Sequence, residues 1–293
     1  YLVTLFLFSL NLSASDRKML FDKGWKFHRG SVANADQPGY NDSKWKVLDL
    51  PHDWSVEPAP IQKKGITAGP FSQLNESGMG GADTGQTLGG EGWYRKTFTI
   101  SDEDKDKLFT LYFEGVYNQS EIWINGKKVH FNPYGYTSYK VNITDYCHPA
   151  GVSNVIAVKV VNAGENSRWY AGSGIYRHVW LIKTEKIHLE EWDTFVDVSK
   201  LEGKQALGTL SALLHNKTQS SVTGKLNMRI VSPAGKEVLS TSKEVTLSAE
   251  TPVSTTFTIK NPELWSVDHP VLYTAEISVT TNAKEWDKVM IPF

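Results

Sequence analysis

From Phe21 onward the apolar positions recur at every second residue or in short β-branched and aromatic runs, which is the spacing of strands. Leu108-Phe109-Thr110-Leu111-Tyr112-Phe113 and Val155-Ile156-Ala157-Val158-Lys159-Val160-Val161 carry this pattern most clearly. Ser120-Glu121-Ile122-Trp123-Ile124, then Asn125-Gly126, then Lys127-Lys128-Val129-His130 reads as a hairpin, because Asn-Gly accepts the positive φ angles of a type I′ turn. No dozen-residue stretch shows a 3.6-residue apolar stripe, and no βαβ alternation is present. The predicted fold is all-β.

A change of texture near Thr184-Glu185-Lys186 divides the chain. Residues 16–185 are rich in Gly, Trp and Tyr, carry long loops, and suit a larger sandwich of the jelly-roll kind. Residues 186–293 show short strands at 187–189, 195–198, 207–216, 224–232, 237–247, 254–259 and 273–280, with turns such as Ser232-Pro233-Ala234-Gly235-Lys236. About seven strands over about 108 residues fit an immunoglobulin-like sandwich of the disulfide-free kind. Residues 55–91, with eight Gly among them, resist regular structure; a loop this long is either disordered or functional.

At the other end, Leu2-Val3-Thr4-Leu5-Phe6-Leu7-Phe8-Ser9-Leu10 has the length of a signal-peptide apolar region, and small residues and then Asp16-Arg17-Lys18 follow it. It falls short of the ~20 apolar residues of a membrane span. Residues 1–15 therefore read as a signal-peptide remnant, and the protein as exported, periplasmic or extracellular. The balance of 32 acidic against 31 basic residues offers no electrostatic grip on nucleic acid or an anionic membrane surface. Cys147 is the single cysteine, so an internal disulfide and a Cys-based zinc site are both excluded.

No phosphate-binding loop, zinc-protease helix, nucleophile elbow or dinucleotide fingerprint appears. The histidines are scattered singly and none has metal-ligand spacing, so each reads as a surface or turn residue, and neither a metal nor a cofactor is expected. No catalytic constellation emerges. Instead Trp and Tyr cluster beside Gly, Asp and Arg: Gly24-Trp25-Lys26-Phe27 with Trp45, Leu50-Pro51-His52-Asp53-Trp54, residues 89–96, and residues 167–177. Flat apolar rings that stack on C–H faces, with charged groups for hydroxyls, suit sugars. Trp25, Trp45 and Trp123 are expected in the core. For Asp53, Arg168 and Trp169 a structural and a sugar-binding role both remain open.

These segments, in this order, resemble the amino-terminal part of glycoside hydrolase family 2, the β-galactosidase and β-glucuronidase family. The resemblance rests on Gly24-Trp25-Lys26-Phe27, Leu50-Pro51-His52-Asp53-Trp54, Gly90-Glu91-Gly92-Trp93-Tyr94-Arg95-Lys96, Trp123-Ile124-Asn125-Gly126, Gly135-Tyr136-Thr137 and Ser173-Gly174-Ile175-Tyr176-Arg177, with Pro262-Glu263-Leu264-Trp265-Ser266 and Pro270-Val271-Leu272-Tyr273 in the second domain. It implies a sugar-binding, galactose-binding-like jelly roll and an immunoglobulin-like domain, without the (β/α)8 barrel of ~250 residues that holds both catalytic glutamates. Met290-Ile291-Pro292-Phe293 looks like the strand that leads into that barrel.

The implied protein is an exported retaining β-glycosidase, most like a bacterial β-galactosidase, of which this chain is an inactive N-terminal part. Its implied partners are a β-galactoside-type carbohydrate and the C-terminal barrel of the same polypeptide, and a homo-oligomer is compatible with it. By position, His52, Asp53, Trp54, Arg168 and Trp169 match rim loops that touch the sugar, and residues 55–91 become functional. Where some β-galactosidases carry an acidic residue, Ser167-Arg168 stands, and a guanidinium forks onto a carboxylated sugar equally well. A β-glucuronidase, a β-mannosidase and a free-standing carbohydrate-binding module are the alternatives. An end on Ile291-Pro292-Phe293, without a polar tail, speaks against the last. Asp53→Ala is expected to weaken sugar binding with little effect on folding, and Trp265 to be buried.

Overall fold

The computed structural model describes residues 17–57, 89–162, 172–282 and 284–293. The leader-like residues 1–15 and most of the Gly-rich tract 55–91 lie outside them. Two compact units emerge, one of residues 18–183 and one of residues 184–293 with Arg17.

Among the described residues the first unit has ten strands: β1 (Lys18–Leu20), β2 (Trp25–Arg29), β3 (Lys46–Leu48), β4 (Gly90–Thr99), β5 (Leu108–Phe113), β6 (Gln119–Ile124), β7 (Lys127–Asn132), β8 (Tyr139–Asn142), β9 (Ser153–Asn162) and β10 (Val179–Thr184). They form a six-stranded sheet, β3-β2-β4-β9-β6-β7, and a four-stranded sheet, β1-β10-β5-β8. Alternation decides which side chains face inward: Phe109, Leu111 and Phe113 from β5 meet Ile122 and Ile124 from β6 and Ile156, Val158 and Val160 from β9. The Asn125-Gly126 turn has φ of 52° and 82°, the type I′ pattern its sequence demands, and pairs β6 with β7.

Trp25 is buried between the sheets, as expected, whereas Trp45 is buried in a separate cluster with Trp93 on the outer face of the six-stranded sheet. Trp123 differs: standing between two inward isoleucines it must point outward, and it is half-buried against Trp93, ring centres 5.3 Å apart, on the outer face of the sheet. That outer face also buries Arg95. Its Nε donates to Asp42 Oδ2 at 2.9 Å, and Nη1 donates to the carbonyls of Ala35 and Gln37. The guanidinium lies over Tyr40, 5.6 Å from its centre. One buried cation thus gathers the β2–β3 connection, and the hydrogen bonds of its Nε and Nη1 are what make its burial tolerable.

Among its described residues the second unit has eight strands: β11 (Ile187–Leu189), β12 (Phe195–Glu202), β13 (Gln205–Asn216), β14 (Val222–Val231), β15 (Glu237–Leu247), β16 (Glu250–Lys260), β17 (Thr274–Thr281) and β18 (Lys284–Pro292). β16 lies along one edge of β13, with β12 and β11 along its other edge. The facing sheet runs β15-β14-β17-β18. Leu210, Leu214, Leu226, Ile230, Phe257, Ile277 and Val279 fill the space that the two sheets enclose. β18 is one strand more than the sequence pattern predicts. Trp265 also departs from expectation. It sits on the irregular segment that joins β16 to β17, anchored by the Glu263 amide on Tyr273 Oη at 2.9 Å, and is 58% exposed because no strand alternation turns it inward.

The Arg95 pair has a pH signature. Burial raises the Asp42 carboxyl, but hydrogen bonds from Lys26 and Arg95 more than offset this and hold it below its ordinary 3.8. A depressed folded value stabilises at pH above the unfolded value, and the contribution fades as pH falls through the folded one. Asp42→Asn should therefore lower the melting temperature at neutral pH, with a cost of about 1–3 kcal/mol for the weakened buried pair. The gap from the native chain should close as pH falls below 3.8. Thermal melts across an acid series check this; a gap that stays constant into acid would contradict it.

Candidate functional site

After β3 the chain passes through a cis Leu50–Pro51 bond into a single 3-10 turn, Trp54–Val56. Asp53 caps that turn: its Oδ1 accepts the Ser55 amide at 2.8 Å. The same oxygen accepts the Ser173 amide, 120 residues away, at 2.7 Å. Around it the backbones pair. His52 donates to the Ile175 carbonyl at 2.8 Å and Trp54 to that of Ser173 at 2.9 Å, while Gly174 and Tyr117 exchange both bonds. Residues 172–176 therefore lie as a short connector with residues 52–54 along one side and Tyr117 along the other. Only glycine fits at 174, where φ is +124° and a Cβ would stand 2.3 Å from Tyr94 Oη and 2.8 Å from the His52 carbonyl.

His52 is held at both ring nitrogens. Nδ1 lies 2.7 Å from Tyr94 Oη, and Nε2 3.0 Å from Glu57 Oε1. Burial drives the Tyr94 phenol well above its usual range, so it keeps its proton, donates it to Nδ1, and accepts the Ile175 amide at 3.4 Å. Nε2–H then donates to Glu57. Burial raises the Glu57 carboxyl, but bonds from His52 and Lys46 outweigh this and leave it below its ordinary value. Trp54 is wholly buried, stacked on Phe27 with ring centres 5.6 Å apart, and its Nε1–H donates to the Gly89 carbonyl at 3.2 Å.

The structure thus brings His52, Asp53 and Trp54 together in one clamp. Trp54 presents no face to a ligand, which corrects the expectation of stacking there: Gly92 and Gly174 let it settle into the core. Arg168 and Trp169 lie outside the described residues. The residues that bound the undescribed segments all belong to the clamp: Glu57 and Gly89 around 58–88, and Asn162 and Gly172 around 163–171. Asn162 Nδ2 donates to Ser173 Oγ at 2.7 Å across the latter. Sequence reasoning missed Tyr94, Glu57 and Asn162. It also misjudged the histidines, since His52 and His188 are largely buried and His188 stands opposite His215, a pair 27 positions apart that only strand register brings together.

A double role for one carboxylate oxygen changes the expectation for Asp53. Asp53→Ala leaves two amides without an acceptor and should lower the stability of the chain, without any sugar, by about 2–3 kcal/mol. Gly174→Ala should cost more than about 2 kcal/mol, from strain at positive φ and collision with Tyr94. Urea melts of the two variants test both values; an Asp53→Ala chain as stable as the native one would sink the clamp.

Two family models match. Residues 31–185 match the glycosyl hydrolases family 2 sugar binding domain, and residues 187–293 match glycosyl hydrolases family 2. Beta-galactosidase BoGH2A of Bacteroides ovatus is 41% identical over 93% of this chain and 31% of its own length. A putative beta-glucuronidase of Formosa agariphila is 33% identical over 93% of the chain and 24% of its own length. The solved structure of a glycosyl hydrolase family 2 member from Bacteroides cellulosilyticus superposes with a TM-score of 0.83 at 36% identity, over 94% of this chain and 36% of that one. The chain spans about a third or less of the length of these two curated relatives. Two adjoining domain matches, in the order in which the two sandwiches occur, make this chain a member of glycosyl hydrolase family 2.

Proposed function

We propose that these 293 residues are the N-terminal, non-catalytic part of an exported retaining β-glycosidase that removes terminal β-galactose from oligo- or polysaccharides. The sugar-binding-domain match and the beta-galactosidase relative support this reading. The observation that carries it is an apolar strip on the second unit. Leu264, Trp265, Val267 and Leu272 fall within one short segment, each about half exposed or more, Val267 at 83%. Clustered exposure of this kind marks a surface that another body covers. A (β/α)8 barrel of ~250 residues in the same polypeptide is the body proposed here.

In this reading the clamp is the rigid base of a substrate rim. His52 and Asp53 position the connector; Arg168 and Trp169, on the segment that leaves it, contact the sugar. A β-glucuronidase is the second reading, favoured by Arg168, whose guanidinium suits a carboxylated sugar, and by the Formosa agariphila relative.

Nitrophenyl β-galactoside and β-glucuronide assays of the full-length protein, with the 293-residue chain alone beside it, decide between these. Turnover of the galactoside by the full-length protein only is the expected result. Trp169→Ala should raise KM about tenfold or more with an unchanged melting curve, since one lost aromatic contact is worth about 1.4 kcal/mol or more. Preferential cleavage of the glucuronide that falls with Arg168→Ala would establish the second reading; a full-length protein inactive on every β-glycoside would overturn both. Trp265→Ala should shift the stability of the 293-residue chain by no more than about 0.5 kcal/mol and destabilise the full-length protein by more.

A further inference from the structure

Among the described residues, His188, Glu190 and His215 form a group whose candidate donor atoms all lie within 4.8 Å of one another. Strand geometry creates it. His188 on β11 is paired in register with His215 on β13, so the two rings share a face, with centres 5.2 Å apart. Glu190 is two residues beyond His188 and returns to that face, its amide bonded to the Leu213 carbonyl at 2.8 Å. Glu250 pairs with His215 from the opposite edge of β13.

Two contacts of His215 are longer than hydrogen bonds. His215 Nε2 is 3.6 Å from Glu190 Oε2, and His215 Nδ1, 3.9 Å from Glu250 Oε1, is buried without a hydrogen-bond partner. Two ligand atoms each about 2.05 Å from a tetrahedral ion stand about 3.3 Å apart, close to the first of these gaps. His188 donates Nδ1–H to the Glu185 carbonyl at 2.9 Å, which leaves the lone pair on Nε2. That is the outer partner a metal-binding imidazole requires to fix its tautomer.

We propose that His188 Nε2, His215 Nε2 and the Glu190 carboxylate bind a Zn²⁺ ion, with water as the fourth ligand, and that the ion fastens β11 to β13. Two imidazoles and one carboxylate favour zinc over the oxygen-seeking Ca²⁺ and Mg²⁺. His188 is buried, and Nε2 is the ring atom its hydrogen bond leaves for a ligand. Arg17, the cation close enough to act on His188, is itself paired with Asp287 and with the Leu189 carbonyl. Glu250 and Glu190 are partly exposed, so the ion can enter from solvent.

The test uses the untagged 293-residue chain, stripped by chelator and dialysed against Zn²⁺ alone. Native mass spectrometry should count one zinc per chain. Zn²⁺ at a hundredfold excess over its Kd should raise the melting temperature by roughly 10 °C, and equal Ca²⁺ should not. His215→Ala should abolish both effects. Because that variant also removes packing, the near-isosteric Glu190→Gln serves as the second: measured from its own metal-free melting curve, its zinc-induced shift should fall by half or more. No stoichiometric zinc, a shift reproduced by Ca²⁺, or a shift that survives in Glu190→Gln would each overturn the assignment.

Discussion

One carboxylate oxygen sets the geometry of the first unit. Asp53 Oδ1 accepts an amide from its own turn and another from Ser173, far along the chain, and so fixes two crossing segments to each other. Everything near it follows from that closure. The connector at 172–176 is narrow because two glycines allow it to press on Asp53 and Tyr94. His52 can then span Tyr94 and Glu57, and Trp54 can reach the core. A charged acceptor for two amides is stronger than a neutral one, which suits a closure that no regular ladder supports.

The aromatic residues divide into two populations, by strand parity where they lie on strands. Trp25, Phe27, Trp54 and Tyr94 pack between the sheets, while Trp45, Trp93 and Trp123 cover the outside of the six-stranded sheet beside the buried Arg95. A sheet that is apolar on both faces needs a second cover, and the 30–45 connection supplies it, held by the carbonyls and the Asp42 carboxylate that Arg95 engages. The high tryptophan content thus has a structural cause before any ligand is invoked.

Strands, the hairpin at Asn125-Gly126 and the two sandwiches were legible because each depends on local alternation and turn chemistry. Trp54 was misread since burial of a ring in an irregular turn depends on the glycines that make room for it, two of them far away in sequence. Trp265 was misread for the converse reason: an apolar residue in an irregular segment carries no periodicity that says which way it faces. His188 and His215 escaped notice because their pairing is set by the register of β11 on β13 and not by spacing along the chain. The family resemblance was the most legible feature, carried by short motifs of which three, at 50–54, 90–96 and 173–177, supply residues of the clamp.

That convergence bears on how rim residues should be recognised. The motif residues nearest the candidate site, His52, Asp53 and Trp54, each have a structural account in hydrogen bonds or packing. Their replacement would disturb a rim without their touching any sugar, so a loss of binding at Asp53 is a weak sign of contact. The discriminating property is a change in KM that leaves stability untouched, since a positioning residue moves both and a contact residue only the first. Segments that leave a rigid base, and not the base itself, are where specificity can vary without cost to the fold.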